Sequence, residues 1–143
     1  MGKHRRERSQ RLVDMSPPPE TQPVYTPPPV EACRVVEYPI DLGDGQEFVV
    51  RQNIYKGLIV DFAIVQLHDE ARASDGVIAR IDTCHGSAHR HRFNRQGGQS
   101  IDPKVIEIIP VSEGWKVVND LFAVCWDRMM RECGENLRVW RVS

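Results

Sequence analysis

The sequence predicts an α+β domain of two layers, an antiparallel β-meander of four to five strands packed by a C-terminal helix. Between residues 35 and 93, apolar and polar side chains alternate in short runs broken by turn residues, the pattern of half-buried strands joined by hairpins. Beyond Gly97-Gly98 the period lengthens to about 3.6 residues, as in an amphipathic helix. A third observation sets where the domain begins. Residues 1–31 hold seven of the ten prolines and few large apolar groups, so they are expected to form a disordered basic and proline-rich arm, leaving 32–143 as a single domain.

In the arm, the proline triplets 17–19 and 27–29 lack backbone donors and favour polyproline II. Lys3, Arg5, Arg6, Arg8 and Arg11 charge its tip, which suits contact with phosphates, while the prolines suit an aromatic groove; the simpler reading, a solvated tail, is the one preferred.

The first strand, about 35–42, places Val36, Tyr38, Ile40 and Leu42 on one face, and Pro39, which cannot donate to a ladder, assigns it to a sheet edge. Gly43-Asp44-Gly45 turns the chain into a second strand marked by Phe48, Val50 and Ile54. Lys56-Gly57 is a tight turn, after which Leu58, Val60, Phe62 and Ile64 alternate along a third strand with Asp61 facing the other way. A polar loop at 68–76 separates this from a fourth strand, Val77 to Asp82. His85-Gly86 then turns into a fifth strand, His89 to Phe93. In the helix, Trp115, Val118, Phe122, Cys125, Met129 and Cys133 share one side, with Ser112 as a candidate cap and Gly134 as a candidate stop. Leu137, Val139 and Trp140 then form a last turn or a short strand.

Composition excludes several function classes. A net charge of -1 and a pI near 6.5 give no global positive field for nucleic acid or an anionic membrane, so any such attraction is local. Cys33, Cys84, Cys125 and Cys133 have neither paired CxxC spacing nor a dense framework, and no N-terminal apolar stretch marks export, so reduced thiols and a cytoplasmic location are expected. Apolar runs fall well short of the roughly 20 residues that span a bilayer. No glycine-rich phosphate loop, Rossmann fingerprint or zinc knuckle is present, which argues against a nucleotide cofactor.

Chemistry concentrates in Asp82-Thr83-Cys84-His85-Gly86-Ser87-Ala88-His89-Arg90-His91-Arg92-Phe93, where three of the five histidines lie within seven residues. Imidazoles titrate near neutrality and suit proton transfer or metal ligation. On a strand His89 and His91 share a face, and the turn brings His85 or Asp82 within reach across the hairpin.

Two chemistries fit. In the first, His85, His89 and His91 act as general acid and base on an RNA phosphodiester with no cofactor, Asp82 orients an imidazole, and Arg90, Arg92 or Arg95 binds phosphate. Regular strand geometry puts Arg90 and Arg92 opposite the histidines, so one of them would have to turn at the sheet edge. In the second, His85, His89 and His91, with Asp82 or Cys84, ligate zinc or another divalent metal. An exposed polar hairpin that binds an anion or a partner accounts for the same residues without catalysis. Cys84 lacks an oxyanion motif for a thiol nucleophile, His68 reads as a loop residue, and His4 belongs to the arm.

The run from Asp82 to His91 resembles the D-N-A-H-G-x-x-H-x-H signature of the TumE-like toxins, small proteins of bacterial toxin–antitoxin pairs regarded as ribonucleases, and of related uncharacterised bacterial and phage proteins. Asp82, His85, Gly86, His89 and His91 match, whereas Thr83 and Cys84 replace Asn and Ala. The resemblance implies a site at His85, His89 and His91, RNA as the target and an antitoxin as partner. The expected function is therefore a small toxin-like ribonuclease or RNA-binding protein. The alternative is a non-enzymatic, phage-encoded type of protein that binds a host macromolecule. A homodimer through Trp126, Met130 or Trp140 is the remaining partner expectation.

Overall fold

Alternation along the strands sorts the side chains into a face that must be buried and a face that need not be. In the computed structural model, which describes residues 23–97 and 100–143, the strands are β1 (Arg34–Gly43), β2 (Gln46–Tyr55), β3 (Leu58–His68), β4 (Val77–Asp82), β5 (Ser87–Phe93) and β6 (Ser100–Ile108). They form one antiparallel sheet in sequence order, and helix α1 (Gly114–Val142) packs on one side of it. Phe48, Val50, Phe62, Ile64, Ala79, Ile81 and Ala88 meet Val118, Leu121, Cys125 and Met129 in the core. Burial of each large side chain here, such as Phe62 or Ile64, contributes roughly 1.5–3 kcal/mol.

Register follows from the hairpins. Lys56 and Gly57 both have positive φ (50° and 79°), the condition for a two-residue turn whose twist matches the strands. Pairing Val50 with Ile64 and Ile64 with Ile81 carries one apolar row across three strands beneath α1. β1 lies at an edge, as Pro39 requires.

The sheet has six strands where four to five were expected. The additional strand, β6, is the other edge: Asp102 has φ 51°, Pro103 interrupts donation, and Val105 and Ile108 are exposed, so burial imposed no alternation on it. The helix also differs at both ends. Ser112 does not cap it; Glu113, in the left-handed region, precedes Gly114. A Cβ on Gly114 would lie 2.3 Å from the Tyr25 ring, so this position accepts no larger residue. Gly134 does not stop the helix, which continues for two turns to bury Asn136, Leu137 and Trp140.

Of the proposed arm, residues 1–22 lie outside the described residues. From Pro23 the chain belongs to the packed body. Tyr25 is buried, and its hydroxyl donates to the Val60 carbonyl at 2.7 Å. Burial, reinforced by the Asp61 charge, pushes the Tyr25 phenol up to about 12, so it stays a neutral donor. Among the described residues, no helix is long and apolar enough to cross a membrane.

Candidate functional site

The β4–β5 hairpin is built to bring its two arms into close register. His85 (φ 58°) and Gly86 (φ 80°) take the two central turn positions, and Ser87 N–H donates to the Cys84 carbonyl. Gly86 is further constrained because a Cβ there would come within 2.9 Å of Val24. The resulting register pairs Asp82 with His89 and Arg80 with His91. All four residues therefore face the side of the sheet opposite α1, which no helix among the described residues covers.

On that face His89 Nε2 lies 3.0 Å from Asp82 Oδ1, and Arg80 Nε lies 2.6 Å from Asp82 Oδ2. Both are ion-pair distances. Neither contact is aligned as a hydrogen bond, and Oδ1 is buried with no aligned donor among the described residues. The other ring nitrogen of His89, Nδ1, is 3.3 Å from Ser87 Oγ, with donor and acceptor set by the tautomer. His89 and His91 meet edge to face, centroids 4.6 Å apart, and His91 is followed by a near-parallel Phe93 at 6.3 Å. Burial, with the neighbouring His89 and Arg80 adding to it and Asp82 opposing, lowers the His91 pKa below that of free imidazole.

The sequence-derived residues divide into two groups. Asp82, His89 and His91 converge, with one ligating atom from each within 4.8 Å of the others. His85 does not join them and is exposed at the tip of the turn. Arg90 and Arg92 point to the α1 side, so neither turns at the edge to meet the histidines. Arg90 is 3% exposed, donating from Nη2 to the Asp102 carbonyl (2.8 Å) and pairing with Glu132; Arg92 Nε donates to Asn136 Oδ1 (2.8 Å). Arg95 is tied to the end of α1, its guanidinium 5.5 Å from the Trp140 ring. The phosphate-binding role read for these three arginines therefore lacks the geometry it needs.

Arg80 is the residue that sequence reasoning missed. It lies two residues before Asp82 on β4, so strand periodicity alone puts it on the same face. Its guanidinium spans from Asp82 to the Phe93 ring, 5.5 Å from the centroid, and its side chain is 39% exposed. Thr83, standing where the resembling signature has Asn, accepts from Phe62 N–H (3.0 Å) and donates to Asp61 Oδ1 (2.8 Å), fixing the start of the turn. Asp61 also pairs with Arg51 at 3.0 Å.

All four cysteines are free. Of the residues expected to mediate a homodimer, Trp140 is buried and Trp126 packs on Phe48 at 5.6 Å, leaving Met130 exposed. Comparison with family models, with curated proteins and with solved structures finds no significant match to this chain.

Proposed function

We propose that the chain is a small endoribonuclease of the toxin type, acting on RNA by metal-independent general acid–base chemistry at Asp82, His89 and His91. The observation that supports this most is the Asp82–His89 contact with His91 beside it and the Arg80 cation at the same carboxylate, all on an uncovered sheet face. His91, whose lowered pKa keeps it neutral at pH 7, takes the proton of the RNA 2′-hydroxyl. The 2′-oxygen bonds to phosphorus, and the bond to the 5′-oxygen breaks. His89, held against Asp82, is the general acid and gives a proton to the departing 5′-oxygen. Arg80 offsets charge developing on the phosphoryl oxygens. Four free thiols fit a reducing cytoplasm, and an antitoxin is the partner that this reading implies. Expression in a bacterial host tests it. Wild-type protein arrests growth and a folded His89→Ala/His91→Ala variant does not; equal growth of the two strains contradicts it.

A second reading, a divalent-metal site, is favoured by the orphaned Asp82 Oδ1 and the donor atoms within 4.8 Å. Two imidazole nitrogens and one carboxylate oxygen suit zinc-class ions, whose ligands at about 2.0–2.1 Å sit roughly 3.4 Å from one another. Such an ion would activate a bound water or polarise a phosphoryl oxygen. Arg80, already against the carboxylate, opposes a second cation. Metal analysis of purified protein, with thermal shift on adding zinc, separates the readings.

A further inference from the structure

Along the outer face of β5, His89, His91 and Phe93 place three unsaturated rings in a row at two-residue spacing, with centroid separations of 4.6 and 6.3 Å. Only the first two have a part in proton transfer. Phe93 is half-buried, on the side of the sheet away from the core, and contributes nothing to the apolar cluster beneath α1. The Arg80 guanidinium lies over its ring at 5.5 Å and reaches from there to the Asp82 carboxylate. An aromatic ring and a cation in contact on an open sheet are the two elements that hold a single-stranded nucleotide: a base that stacks on Phe93 takes the place of the Arg80 guanidinium over the ring, and the guanidinium moves to the phosphate.

We infer that Phe93 is a nucleobase-stacking position, so that the chain binds single-stranded RNA with the base next to the reacting phosphate lying on Phe93 and the phosphate beside Arg80. This rests on the ribonuclease reading for the identity of the polymer. A duplex is disfavoured because its paired bases are stacked on one another and present edges, not faces, to a flat sheet.

The test uses full-length protein and a 2′-O-methyl oligouridine octamer. That probe lacks the 2′-hydroxyl nucleophile, so binding is read whether or not the protein cleaves RNA. Failure of the catalytic reading is thus scored separately, on unmodified RNA. Anisotropy at one fixed salt concentration compares this octamer with an abasic backbone of equal length and with the octamer paired to its complement. Wild type is expected to bind the single strand roughly tenfold more tightly than the abasic backbone. Phe93→Leu should lose that difference while keeping its affinity for the abasic backbone, and Phe93→Tyr should retain it. Equal affinity of wild type for the base-bearing and abasic octamers overturns the inference, as does a duplex bound as tightly as the single strand. So does a folded Phe93→Leu that binds like wild type, or the absence of binding to any of the three. Because the abasic and duplex comparisons need wild type alone, a misfolded variant does not remove the test.

Discussion

Asp82 and His89 are directly opposed across the β4–β5 pair, with Oδ1 and Nε2 3.0 Å apart and both side chains nearly covered (12% and 13% exposed). Opposed residues on one face of an antiparallel pair are the closest that a sheet can bring together, so the turn at His85-Gly86 sets this contact directly. Asp82→Asn keeps the shape and removes the carboxylate charge that lies 3.0 Å from His89 Nε2. RNA cleavage is expected to fall roughly 10²-fold with the melting temperature nearly unchanged. Equal rates in a side-by-side cleavage assay would leave Asp82 without a catalytic role.

Stability should depend on pH through His91. Its folded pKa lies below the unfolded value, because burial and then His89 disfavour the imidazolium. The unfolded chain therefore binds the extra proton first. His91 detracts nothing above about pH 6.5, and stability is lost as pH falls from there toward the folded pKa. Carboxylates such as Glu70 and Glu135, lowered by Arg141 and Arg138, act in the same direction at lower pH, so the difference between proteins isolates the histidine. Urea melts from pH 7.5 to 5.0 should show a smaller loss in His91→Gln than in wild type; parallel losses would contradict the assignment.

Arg90 and Glu132 supply a control for the idea that the arginines of the motif are structural. Removing Glu132 leaves a 3%-exposed guanidinium whose remaining partner among the described residues is Asp102. Since Glu132 is itself 22% exposed, Glu132→Ala should cost roughly 2 kcal/mol, less than the 3–5 of a fully buried pair. Arg90→Met, which replaces the charge by an apolar chain, should fold and keep its cleavage rate. A rate lost by more than stability explains would return Arg90 to the substrate.

Gly134 lies in the interior of α1, and a Cβ there meets nothing within 4 Å. Gly134→Ala is accordingly expected to stabilise the protein by about 0.5–1 kcal/mol, through a less flexible unfolded chain. Chemical denaturation measures it. Destabilisation would mean that the helix ends where the glycine first implied.

That glycine illustrates why part of the fold was legible in the sequence and part was not. Strands β2 to β5 were readable because each buries residues of one face, and burial writes alternation into the residues; in β1 only the partly buried Ile40 and Leu42 pack against the core. β6, a bulged edge strand carrying Pro103 and exposed Val105, is under no such pressure. The helix was followed while apolar residues recurred and was ended too early at Gly134, two residues before Asn136, a fully buried amide that donates to Gln66 Oε1 at 2.9 Å and accepts from Arg92. A polar residue satisfied by polar partners in the core breaks the apolar period without breaking the helix. At the site, Asp82, His89 and His91 followed from two-residue spacing and one turn. Arg80 required the same rule applied to β4. His85 was misjudged because a turn residue at positive φ projects outward instead of across the hairpin.

The central claim is that His91 and His89 move protons during RNA cleavage, and product analysis in excess EDTA tests it most directly. Wild type should cleave RNA to 2′,3′-cyclic phosphate ends with the chelator present, and a folded His91→Ala variant should be slower by roughly 10² to 10⁴. No cleavage by wild type, or the same rate in the variant, would contradict the account.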